Sequence, residues 1–265
     1  NLASLDEGTY LVKSHAVDNA GNRENTDEVT IVFDKTIPEV SLTIDPANPD
    51  GDNNWYISTP TITLTANDAN FDRIEYQIDS DSGTWITYSS PVKIDEGKHI
   101  FYYRAWDKAG NKTDIGVKNV KVDTEDPDKV SDLDAEYNED KDAVKLTWDA
   151  DDDDIHKVYI YRGGSREFHM NSGSLIGKND GNDETFNDDD VERGEKYYYK
   201  LVSRDEAGNK SGAKIISIEI TEEGNAIVTD EGVDNSSQGS GSEEEQSGGS
   251  GEGQQGEEIQ GASNE

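Results

Sequence analysis

The feature that most constrains this chain is a seven-residue phrase that returns three times: AVDNAGN at 16–22, AWDKAGN at 105–111 and SRDEAGN at 203–209. Asp18 and Asp107 are 89 residues apart, and so are Gly21 and Gly110. The match spreads from LDEGTYLVKSHAVDNAGN (5–22) onto IDEGKHIFYYRAWDKAGN (94–111) without a gap, and DKTIPEV (34–40) lies 89 residues before DTEDPDK (123–129). The third copy follows after 98 residues and is more diverged. A period of this length exceeds a solenoid unit and suits a small domain, so the chain reads as domains in series.

Each copy is built from alternation. Tyr10, Val12, Ser14 and Ala16 share one face, as do His99, Phe101, Tyr103 and Ala105, and Tyr197, Tyr199, Leu201 and Ser203. Period-two patterning of this kind predicts half-buried strands. The A-G-N that follows supplies a turn, because glycine accepts positive φ and Asp or Asn side chains bond the nearby backbone. A second β-rich run follows each turn, so each copy closes with a hairpin. Between 38 and 123 the runs at 39–44, 61–66, 73–78, 84–88, 91–94, 99–106 and 116–122 all read as short strands. Seven strands with no helical period predict a β-sandwich of immunoglobulin type. Ile62, Leu64, Ala66, Ile74, Tyr76, Ile78, Phe101 and Tyr103 are its expected core.

From 127 to 221 the segments PDKVSDL, VKLTW, VYIYR and YYYKLVSRDEAGNKS resemble a fibronectin type III domain of the bacterial kind. Val144, Leu146 and Trp148 share one face there, with Val158 and Ile160 on the next strand, and Tyr197 stands where a tyrosine-corner residue would. The 37–126 unit, through NPDGDNNWY, TLTAND, IEYQID and GKHIFYYRAWDKAGN, resembles bacterial Ig-like repeats of secreted and surface proteins. The expected fold class is all-β: tandem immunoglobulin-like β-sandwiches with a disordered acidic C-terminal tail. The domains are 1–36, the C-terminal hairpin of an incomplete Ig-like module; 37–126, Ig-like; 127–221, fibronectin type III; and 222–265, a tail rich in Gly, Ser, Glu and Gln. That tail is too poor in apolar residues to offset the entropy of ordering.

The formal charge is −35, and residues 222–265 contribute twelve Asp and Glu with no Lys or Arg. Such a balance repels nucleic acid and anionic lipid. Cysteine is absent, which removes disulfides and thiol chemistry. No apolar run approaches the length of a membrane span, so no membrane insertion is expected within this segment. The four histidines are scattered, and no H-E-x-x-H, G-x-S-x-G or P-loop occurs, so no enzymatic activity and no required cofactor are expected.

Two binding chemistries remain. Stacking the two complete modules would crowd carboxylates at their joint, and Asp95, Asp123, Asp126, Asp151, Asp153 and Asp205 are the candidate ligands of an inter-domain Ca²⁺. Ca²⁺ takes hard oxygen donors of this type, although no complete calcium loop is present. Trp55, Tyr56, Trp85 and Trp106 are candidate carbohydrate-stacking residues if they form an exposed strip; for Trp55 and Trp85, covering the open edges of the sandwich is the plainer role. The resemblances imply a non-catalytic spacer or presentation segment of a bacterial extracellular or cell-surface protein. The alternative is an adhesive or carbohydrate-binding accessory module of a secreted hydrolase. Expected partners are other domains of the same polypeptide, with cell-wall or extracellular glycans or host proteins as the external classes.

Overall fold

The computed structural model describes residues 5–234. A hairpin comes first, β1 (Gly8–Ser14) with β2 (Asp27–Phe33), paired antiparallel from Gly8↔Phe33 to Ser14↔Asp27. The next module packs two sheets. One has the order β3–β4–β7, from Glu39–Asp45, Thr61–Asn67 and Val92–Lys93. The other has the order β6–β5–β8–β9, from Ile86–Thr87, Phe71–Ile78, Gly97–Asp107 and Gly116–Val122. All seven expected strands are present, and the two outer ones are shorter than the sequence suggested.

Ile62, Leu64, Ile74 and Phe101 are buried between these sheets, with Ala66, Tyr76 and Tyr103 packed at the margin. Ile78 does not join them. It is the last residue of β5, where Asp79 turns the chain at φ 62°, and it stays 36 % exposed. Tyr56, Ile94, Val120 and Val122 complete the core. Tyr56 entered it from outside any strand, through an isolated parallel bridge to Val122.

The third body is also a sandwich. β10 (Ser131–Asn138), β11 (Ala143–Asp149) and β14 (Thr185–Asp188) form one sheet. The second runs β13–β12–β15–β16–β17, from Leu175–Asp180, Lys157–Gly163, Lys196–Arg204, Ala213–Ile220 and Ala226–Asp234. Val144, Leu146, Trp148, Val158, Ile160, Tyr199 and Leu201 fill its core. Tyr197 closes a tyrosine corner: its hydroxyl accepts a bond from the Glu192 N–H at 2.8 Å.

β17 corrects the expected start of the tail. A turn over Thr221–Asn225, with Gly224 at φ 86°, returns the chain onto β16. The acidic residues beyond it are not merely solvated. Asp230 pairs with Lys214 at 3.1 Å, Asp234 with Lys200 at 3.5 Å, and Glu231 accepts from the Ser217 hydroxyl at 2.8 Å. The strand also occupies the main-chain edge that β16 would otherwise leave open. The remainder of the expected disordered tail lies outside the described residues. No helix of the described residues is long and apolar enough to cross a membrane.

Candidate functional site

The repeated phrase assembles the joints between bodies. In all three copies the first Asp folds the turn onto itself. Its carboxylate accepts a bond from the final Asn side chain at 2.7 Å, in Asp18–Asn22, Asp107–Asn111 and Asp205–Asn209 alike. The same carboxylate takes the Asn backbone N–H, at 2.9, 2.7 and 2.9 Å. These are Asx turns with two anchors, and they leave one Asn N–H free to point outward.

At two of the three turns that N–H reaches the incoming linker. Asn111 donates to the Asp34 carbonyl at 3.1 Å, and Asn209 donates to the Asp123 carbonyl at 2.9 Å. The linker is also held from behind. Glu7 accepts the Lys35 N–H at 2.7 Å, and Glu96 accepts the Thr124 N–H at 3.1 Å. Glu7 and Glu96 belong to the repeated D-E-G, 89 residues apart like their partners Lys35 and Thr124. Each linker is therefore bonded to the body it leaves and to the body it enters. Pro38 and Pro127, which follow, are both buried and carry a fixed φ.

The second joint has an additional bracket. The 45–54 loop reaches the next module through a 3₁₀ turn at Asp52–Asn54. The Asp52 N–H donates to the Ala207 carbonyl at 2.6 Å, and the Asn53 side chain donates to the Glu206 carbonyl at 2.9 Å. Arg204 pairs with the Asp52 carboxylate at 3.2 Å. Asn53 takes φ 51°, which asparagine tolerates, and Lys121 donates to its carbonyl at 3.1 Å. A polar cleft of about 320 Å³ opens beside this bracket, between Asp52, His156, Tyr159 and Arg204.

Carboxylates do converge at the joint, but not in the expected set. Asp123 and Asp205 meet Asp154, with ligand oxygens all within 4.8 Å of one another. Asp95, Asp126, Asp151 and Asp153 are exposed and stand outside this group. Asp95 flanks Glu96, whose carboxylate is committed to Thr124, and in the 151–154 run only Asp154, itself exposed, brings an oxygen to the group. Burial, then the Asp205 charge, pushes the Asp123 carboxyl above its ordinary value. Burial and then Asp205 and Asp152 do the same to Asp154. The first joint repeats the arrangement with Asp34, Asp68 and Asp107. Burial pushes Asp107 up, but the bonds from Asn111, Gly110 and Ala109 together outweigh it and hold the carboxyl low. All six donors are hard oxygens, the type that suits Ca²⁺. The signal for the missed triad was present in the constant 89-residue offset of Asp34 to Asp123. What sequence could not supply was which loop Asp completes it.

The aromatic strip is corrected more fully. Tyr56 is 2 % and Trp55 7 % exposed, so neither ring is open for stacking. Trp85 and Trp106 are half-buried on the outer face of the β5–β8 sheet, and the Arg104 guanidinium lies between them, 3.9 and 5.2 Å from their ring centroids. Arg73 and Lys112 take further places over Trp106 at 5.0 and 5.2 Å. Glu75 fixes the cluster, accepting from Arg73 at 2.7 Å, Arg104 at 2.8 Å and the Trp106 indole at 2.9 Å. The rings serve cation–π contacts within the sheet rather than presenting bare faces.

Residues 132–223 match the family model described as fibronectin type III domain, SaeA third domain, and this stretch is a fibronectin type III domain. No curated protein matches the chain. Among solved structures, the FN1–FN3 domains of chicken CNTN1 are 11 % identical, with 80 % of this chain and 78 % of that chain covered and a TM-score of 0.39. The fibronectin(III)-like modules of Clostridium thermocellum CbhA are 17 % identical, covering 68 % and 94 %, with a TM-score of 0.39. Titin domains A168–A170 are 15 % identical, covering 78 % and 72 %, with a TM-score of 0.40.

Proposed function

We propose that this chain is a non-catalytic spacer or presentation segment of a bacterial extracellular or cell-surface multidomain protein, working by holding sandwiches in series at fixed joints. The observation that carries the reading is the two-sided grip on each linker: Glu7 and Asn111 on one, Glu96 and Asn209 on the other. A free swivel would leave those linkers solvated. Instead the residues of the repeated phrases are spent on connecting bodies. The accessory-module alternative gains nothing from Trp55 and Tyr56, which are buried, while the half-buried Trp85 and Trp106 already carry Arg104, Arg73 and Lys112 over their rings.

Because the chain has no cysteine, spin labels can be placed cleanly at Ser90→Cys and Ser165→Cys, both exposed and away from the joint. A single narrow distance distribution between them is expected by pulsed electron spin resonance. A broad distribution, as for a flexible tether, would overturn the reading. Calcium remains a proposal within it: Asp123, Asp154 and Asp205 would hold Ca²⁺ and relieve their mutual repulsion. Calorimetric titration of the whole chain tests this, and no heat at millimolar Ca²⁺ ends it.

A further inference from the structure

The two outward faces of the 37–126 sandwich differ in kind. On the β3–β4–β7 side the outward positions are small and neutral, with Thr43 opposite Thr63 and Ser41 opposite Thr65. The solvated face of an antiparallel sheet is ordinarily polar in this way. On the β6–β5–β8–β9 side the outward row of β8 reads Lys98, Ile100, Tyr102, Arg104 and Trp106, because the alternating Phe101 and Ala105 are buried. Lys121 of β9 stands opposite Lys98, and Arg73 of β5 stands opposite Trp106. Lys112 joins the face through its bridge to Trp106. The whole chain has 24 Lys and Arg against 59 Asp and Glu. This face reverses the balance: Lys98, Lys121, Arg104, Arg73 and Lys112 surround one carboxylate, Glu75. Asp72 and Asp79 at its margins are already paired, with Arg73 and His99, and Asp114 precedes β9.

The rings pin these cations in place. Lys98 and Lys121 both lie 5.3 Å from the Trp55 centroid. Arg73, Arg104 and Lys112 lie 5.0, 5.2 and 5.2 Å from that of Trp106. A cation–π contact fixes a side chain without neutralising it. Arg104 commits Nε and Nη2 to Glu75, and Arg73 commits Nε to Glu75 and Nη1 to Asp72. Each guanidinium therefore keeps one terminal nitrogen without a partner among the described residues. Lys98 and Lys112 have no ion pair among them either. The face thus has two cationic poles, and the span of β8 from Lys98 to Arg104 separates them by about 20 Å. The stretch between is uncharged: Ile100 is 38 % and Val117 55 % exposed, and Tyr102 is half-buried.

We propose that this face binds a linear polysaccharide carrying uronate carboxylates. Its carboxylates would pair with the free nitrogens of Arg73 and Arg104, with Lys112 and with Lys98. The C–H faces of its sugar rings would lie over Ile100, Tyr102 and Val117. A polyphosphate has no apolar face to offer that middle stretch. An extended acidic peptide finds main-chain partners at a sheet edge, whereas these cations stand on a face. Recognition is by charge rather than by open-ring stacking, so the cations over Trp106 serve it. The net charge of −35 repels any polyanion at a distance. At physiological salt that field fades within about 8 Å, and the contact is left to the face itself. The inference goes beyond the spacer reading and stands without it.

The test titrates alginate oligosaccharides into the full chain in calcium-free buffer at physiological salt. Saturable shifts of the Trp85 and Trp106 indole N–H signals by NMR are expected, with neutral dextran silent. Lys98→Gln and Lys112→Gln, both at exposed positions, weaken binding by about 2- to 5-fold each, the size of an exposed ion pair. Asn119→Lys adds an exposed cation between the poles and strengthens binding by a similar factor. Lys145→Gln, exposed on the fibronectin type III domain, changes nothing. No shift at millimolar uronate overturns the proposal, as does an affinity that none of the three face variants alters. Poly-L-glutamate or polyphosphate binding as tightly as alginate overturns the assignment to a polysaccharide. Binding is read within one module, so its failure is distinct from a broad spin-label distribution across the second joint.

Discussion

Gly51→Ala in the native bracket isolates the contribution of one backbone approach to the joint. Gly51 has φ −110° and ψ −174°, extended backbone open to any residue, so alanine brings no conformational penalty. Space is the obstacle. An added Cβ would lie 2.5 Å from the Ala207 carbonyl oxygen, 2.6 Å from the Ile57 Cγ2 and 3.1 Å from the Trp55 carbonyl oxygen. The Ile57 methyl can rotate away, but the Ala207 oxygen is backbone of the next module, so the modules must part. Parting breaks Asp52 N–H to Ala207, Asn53 to Glu206, and the Arg204–Asp52 pair. Two neutral hydrogen bonds contribute about 0.5–1.5 kcal/mol each. The partly exposed ion pair adds about 0.2–1 kcal/mol. The bracket should therefore weaken by about 1–4 kcal/mol, or roughly 5- to several-hundred-fold in the opening equilibrium. Within the Ig-like module itself the gain of about 0.4–1 kcal/mol from the less flexible unfolded chain is offset by the close approach to Ile57 and to the Trp55 carbonyl. The assay is exchange of the Asp52 amide proton by NMR, with Gly164→Ala as control because a Cβ there meets nothing within 4 Å. Wild-type exchange at Asp52 in the Gly51→Ala chain would refute the claim that this contact couples the modules.

Asp188 is 4 % exposed and is bonded by Arg162 at 2.7 Å and by the Tyr199 hydroxyl at 2.8 Å. Asp188→Ala leaves Arg162 with its second partner, Asp190, but removes the acceptor of the buried Tyr199 hydroxyl, and should cost about 1–3 kcal/mol, seen as early melting of the fibronectin type III domain alone. Burial, then the Asp188 charge, holds the Tyr199 phenol far above its ordinary value, so alkaline titration followed at 295 nm should show it ionising only on unfolding. Tyr197→Phe removes the acceptor of the Glu192 N–H and should cost about 0.5–1.5 kcal/mol in urea unfolding. His99 is raised above 6.5, first by its bond to Asp79 and against burial, while the Ile100 N–H and His99 hold Asp79 below 3.8. The His99 contribution is complete below the ordinary histidine value and fades as pH rises through the higher folded one; that of Asp79 fades on acidification. Asp79 is half-exposed, so the loss between pH 5.5 and 8.5 should stay below about 1 kcal/mol, and His99→Gln should flatten it.

The sequence by itself determined the strands, their faces and the division into modules, because alternation and turn chemistry act over a few residues. Ile62, Leu64, Phe101, Leu146 and Trp148 could be placed inside from their spacing alone. The 89-residue offset likewise fixed which residues of one joint would recur at the next. Tertiary structure decided what those residues touch. Asp154 rather than Asp151 or Asp153 faces Asp205, since the direction of a side chain in an irregular loop follows from packing and carries no period. Trp55 and Tyr56 lie outside any strand or helix and follow no period, so only the packed sandwich reveals them as buried. The acidic strand after Thr221 read as solvated chain because its stability comes from the open edge of β16 and from lysines distant in sequence. Local rules specify which surfaces form; pairing across loops and between modules depends on proximity that no short window of residues encodes.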